Sequence, residues 1–133
     1  MSVGPDEAGL RRLVDDARAV VAAVGALGGE ASYPDDVAWA AERAAGAHDC
    51  LLRLERVLRA GDARGFPGAL LAVEMQMRPV EDAPPALQPA TTAVQAAANR
   101  LAVDLRRVVD PHLDPDGFLP VEVGRTLRRI ASG

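Results

Sequence analysis

Three consecutive residues, His48, Asp49 and Cys50, are of the types that build metal centres and activated nucleophiles. Cys50 is the chain's only cysteine, and a second histidine, His112, lies far downstream. A thiolate beside an imidazole oriented by a carboxylate could attack a substrate. Two histidines and a thiolate could hold zinc. A second stretch, "HLDPDGFLPVEV" over residues 112–123, offers different chemistry. Asp114, Asp116 and Gly117 fall on the third, fifth and sixth positions of a calcium-binding EF-hand loop, and Leu119 fills the apolar eighth.

Geometry argues against both. The region of residues 48–50 reads as a helix, whose successive side chains point about 100° apart. Three neighbours on it diverge rather than converge. Asp49 is predicted outermost, paired with Arg53 one turn on. Cys50 is predicted on one flank of the apolar stripe, as a small buried hydrophobe. His48 falls on the other flank, at the boundary. A metal or catalytic site from His48, Cys50 and His112 requires the fold to gather them, and nothing in their spacing does so. In the loop, the first ligand position is His112 and the twelfth is Val123, with Glu122 one residue early. The Asp-Pro-Asp-Gly run therefore reads as a tight turn. There is no His-Glu-x-x-His, Cys-x-x-Cys, phosphate loop or Gly-x-Ser-x-Gly. No cofactor and no metal are expected.

The elements around these residues are helical. Leu10, Leu13, Val14, Ala17, Val20, Val21, Val24 and Leu27 recur at three- and four-residue steps, with Pro5, Asp6 and Glu7 ahead of them and Gly28 and Gly29 behind. A second helix is predicted from "SYPDD" to Ala60, ahead of Gly61, with the stripe Val37, Ala40, Ala44, Ala47, Leu51, Leu54 and Leu58. Its small residues predict the closest helix approach near Ala40 to Ala47. A third, about Pro67 to Met77, carries two apolar stripes. Phe66, Leu70, Val73 and Met77 form one, and Leu71 and Met75 the other, nearly opposite. Such a helix is sandwiched in the core or shows a face to a partner. Four prolines among residues 79–89 predict a loop. A fourth helix, about Pro89 to Asp110, uses Val94, Ala98, Leu101, Leu105, Val108 and Val109, with Arg100, Asp104 and Arg107 outside as ion-pairing partners. A last short helix is predicted over about Pro120 to Ile130.

Composition sets the remaining limits. The chain has 133 residues, 49% hydrophobic but only 3% aromatic, which suits one domain (1–133) of closely packed helices. All 15 basic residues are arginine, a skew expected of a GC-rich bacterial coding genome. One cysteine permits no internal disulfide, in keeping with the cytoplasm. Residues 1–50 hold nine acids and four arginines. No part is strongly basic, which argues against nucleic acid. No apolar run reaches bilayer length, so no membrane partner is expected.

The expectation is thus an all-α protein, an antiparallel four-helix bundle with a short extra C-terminal helix. The leading function is a non-catalytic protein–protein interaction module, binding a partner protein or itself as a homodimer, with Leu71 and Met75 as the candidate interface. An alternative is a sensor or carrier holding a small apolar ligand in the core near Trp39. A further alternative is a small enzyme or metal protein using His48, Cys50 or His112.

Overall fold

The computed structural model describes residues 4–133 and is helical throughout, with no strand among the described residues. Its elements are α1 (Glu7–Gly25), a 3-10 turn (Ala26–Glu30), α2 (Pro34–Ala60), α3 (Phe66–Glu74), a single turn α4 (Met77–Val80), a 3-10 turn (Pro85–Leu87), α5 (Gln88–Val108), a 3-10 turn (Asp110–His112) and α6 (Val123–Ser132). None is long and apolar enough to cross a membrane.

Local chemistry sets the boundaries. Asp6 caps α1, its Oδ1 accepting from the Gly9 amide at 2.8 Å. Pro34 opens α2, with Asp35 and Asp36 at the positive end of its dipole. Gly61 closes α2 at φ 62°, a left-handed conformation that costs a side chain dearly. The Gly61 amide donates to Leu58 and the Asp62 amide to Val57, which satisfies two terminal carbonyls.

The apolar stripe of α1 is the centre of the core. Leu10, Leu13, Val14, Ala17, Val20 and Val24 are essentially inaccessible to solvent. α1 packs most extensively against α5, through Val94, Ala97, Ala98 and Leu101, and next against α2. The start of α1 lies beside the end of α5, where a Cβ on Gly9 would stand 3.0 Å from Val108. α2 also receives α3 and α6. Gly28, in the 3-10 turn after α1, lies within van der Waals reach of Ala40, at the small-residue end of α2.

Several expectations need correcting. Val37 opens the α2 stripe in sequence but is exposed, because the first turns of α2 run past the core. The proline-rich segment is not simply loop. It folds into α4 and a 3-10 turn, and Val80, Ala83 and Leu87 are buried as a lid over one end of the core. The third helix stops at Glu74, so Met77 reaches the core from α4 instead. The last helix begins at Val123, since Pro120 sits in the preceding turn.

α6 docks on the end of α2 through two glycines. A Cβ on Gly124 would collide with the Gly61 carbonyl oxygen. Gly124→Ala should therefore cost about 1–3 kcal/mol, a fall of several degrees in melting temperature. Gly25→Ala is the control: Gly25 has φ −62° and nothing near its missing Cβ, so it should be neutral or stabilising by about 0.4–1 kcal/mol. Equal losses in the two variants would rule out a backbone-to-backbone contact at Gly61–Gly124.

Candidate functional site

The residues that first suggested chemistry are dispersed. His48 and Asp49 are exposed on α2. Cys50 is half-buried against α3, where its thiol faces the Ala72 carbonyl at 3.7 Å and receives the Gln76 side-chain amide at 3.4 Å. Gln76 also donates to the Ala72 carbonyl, near the end of α3, and Gly46 leaves room for it. The thiol thus belongs to the α2–α3 contact. Burial pushes its pKa up, against a smaller lowering by Arg53. His112 lies elsewhere, lining a shallow cavity with Pro5, Asp6 and Arg107 near the start of α1. Among the described residues, no three metal-ligating side chains come together.

The predicted Asp49–Arg53 pair does not form; the Arg53 guanidinium turns instead toward Gly68 on α3. Residues 114–118 close as a turn. The Asp114 carboxylate accepts from the Asp116 and Phe118 amides, both at 2.9 Å, and Gly117 takes φ 84°. Asp114 is therefore occupied by its own loop, and Arg64 covers the Phe118 ring at 4.2 Å. Trp39 is half-buried at the edge of the core, with Arg43 over its ring at 5.4 Å.

The third helix places its two stripes differently. Phe66, Ala69, Leu70 and Val73 are buried, while Leu71 is 49% exposed and Met75 44%. Leu71 forms one wall of a groove between α3 and α5. Pro67 lies on the same wall, Ala102 and Leu105 come from α5, Val109 from just past its end, and Leu113 follows in the loop beyond. Its volume is about 260 Å³. The rim carries Glu74, Arg106 and Asp110. The groove exists because α3 is short, so it covers only part of the α5 flank. Sequence reasoning picked out Leu71 and Met75 from their spacing but missed the α5 wall. The signal was there: Ala102, Leu105 and Val109 share a face at three- and four-residue steps.

Two of the three α6 arginines have partners. Glu7 binds Arg129 at 2.8 Å and Arg11 at 3.2 Å, and these two partners hold its carboxyl below the usual range. The Arg128 guanidinium lies against Gly61, over the negative end of α2.

The chain matches no known protein family, no characterised protein and no solved structure. The geometry of the chain itself is the basis for a functional reading.

A half-buried thiol with a raised pKa is a poor nucleophile. At pH 7.5 the folded protein should react with iodoacetamide more than about tenfold more slowly than the urea-unfolded chain. Equal rates would mean that Cys50 is a free, reactive thiol.

Proposed function

We propose that the chain is a non-catalytic, self-associating interaction module whose docking face is the groove between α3 and α5. We read its architecture as an antiparallel four-helix bundle with α6 as the extra C-terminal helix. That reading is supported by the start of α1 meeting the end of α5 and by Cys50 and Gly46 of α2 meeting Ala72 and Gln76. The observation that carries the function is the exposure of Leu71 and Met75 beside an apolar groove.

The occupant is a second copy of the chain. The groove has the size of one or two large side chains and lies below the 300 Å³ or so of ordinary small-molecule pockets. It suits an anchor residue better than a carried ligand. Its rim bears both signs of charge, so a two-fold axis can set Arg106 of one copy against Glu74 or Asp110 of the other. Leu71 and Met75 of each copy are then ridges for the other copy's groove. Each is about half exposed, so completing the burial of both is worth roughly 1.5–3 kcal/mol per copy.

The carrier reading, with a pocket near Trp39, has less support, since Arg43 occupies a face of that ring. An enzyme using His48, Cys50 or His112 lacks a common site for the three.

The double variant Leu71→Glu with Met75→Glu tests the reading. The wild type should be a dimer by light scattering, and the variant a monomer with its helical circular dichroism intact. A wild type that stays monomeric at all concentrations would contradict the proposal. So would a variant that loses its helix signal, as expected of charges forced into a core.

A further inference from the structure

One half-buried titratable group, with one oxygen shielded from solvent, has no part in the groove. Asp16 lies on α1 three residues after Leu13 and four before Val20, on the edge of the stripe that packs against α5. Its Oδ2 is shielded from solvent and has no hydrogen-bond partner as a carboxylate. A buried, unsatisfied polar atom is costly, and a charged one more so. The neighbour that could satisfy it is another acid. Asp104 of α5, half-buried at the equivalent place between Leu101 and Val108, faces Asp16 within hydrogen-bonding reach.

Two carboxylates cannot bond without a proton. With one proton between them, the protonated oxygen donates and the other carboxylate accepts, as in proton-sharing acid pairs generally. With both ionised, the pair repels across the seam between α1 and α5, which is the most extensive helix contact of the fold.

We propose that Asp16 and Asp104 form a proton-sharing carboxyl pair that makes the α1–α5 contact pH-responsive, firm when one proton is held and loosened when both acids are ionised. The charged groups acting on Asp16 are Asp104 and Arg100 from α5 and Arg12 from its own helix; none from α2, α3 or α6 is among them. Burial first, then the Asp104 carboxylate, pushes the Asp16 carboxyl up to about 7, against a partial lowering by Arg100 and Arg12.

The sign follows from linkage. The folded-state value is raised above the ordinary 3.8, so between about pH 4 and pH 7 the folded chain holds a proton that the unfolded chain has released. The stabilisation is fully present below that window and is lost as pH rises through it. The surface acid Glu7 works in the opposite sense, its contribution being lost as pH falls. The pair is therefore read from a difference between proteins.

The test compares melting temperatures of the wild type, Asp16→Asn and Asp104→Asn from pH 5 to pH 8. An amide at either position donates to the remaining carboxylate without titrating. Relative to the wild type, each variant should gain about 3 °C or more between pH 5 and pH 8. Parallel profiles would overturn the proposal. Carbon-13 NMR of aspartate carboxyls in the wild type provides the second reading and needs no variant to fold. A carboxyl resonance assigned to Asp16 and inflecting between pH 6 and 8 is expected. An ordinary Asp16 inflection below pH 5 would equally overturn it.

Discussion

The packing of α1 against α5 is the contact on which the rest of the structure depends. It joins two long helices through residues that are mostly small or branched: Val14, Ala17 and Val20 on one side, Val94, Ala97 and Ala98 on the other, flanked by Leu10, Leu13 and Leu101. With few aromatic rings to fill space, the core is closed by letting side chains of one helix come up against the backbone of the next, as Val108 does at Gly9. A chain rich in alanine and valine gains less apolar burial per residue than one rich in leucine and phenylalanine. Close contact along the whole length of the seam compensates. α2 then lies on α1 and carries α3 and α6 on its own remaining surface.

That arrangement explains where apolar surface is left over. α3 has nine residues beside an α5 of twenty-one, so it cannot cover the full flank. Phe66, Leu70 and Val73 turn inward, and Leu71 and Met75, on the opposite side, remain outside, with Leu71 facing the half-buried Leu105 across the groove and the buried Val109 at its floor. The groove and its ridge are therefore by-products of one short helix. α6 itself buries its apolar side, Val123, Leu127 and Ile130, and two of its arginines, Arg129 and Arg128, meet Glu7 and the end of α2.

Much of this was legible in the order of residues. The α1 stripe, the stop at Gly61, the tight turn at Asp114–Gly117 and the two-sided third helix all follow from short-range rules of period, capping and turn chemistry. What was not legible depended on tertiary contact. Prolines announced a loop over residues 79–89, yet proline also fits the first turn of a helix, and Val80 and Leu87 found the core there. Asp104 read as an outward ion-pairing residue because Arg100 and Arg107 flank it. Its spacing from Leu101 and Val108, matched by that of Asp16 from Leu13 and Val20, pointed inward instead, and only the register of α1 against α5 brings the two acids together. Arg53 likewise had a correctly spaced partner in Asp49 and turned to α3 instead. An exposed ion pair on a helix is worth only a few tenths of a kcal/mol, too little to dictate where a long side chain goes.

The proposed cover of the α3–α5 face is a second copy of the chain. Hydrogen exchange of the unmodified protein, read by mass spectrometry at low and high concentration, tests it without altering a residue. Amides of α3 and of the segment 102–113 should exchange more slowly at high concentration, while those of α6 and the exposed start of α2 stay unchanged. Exchange in α3 and 102–113 that is independent of concentration, or protection gained on another face, would contradict the account.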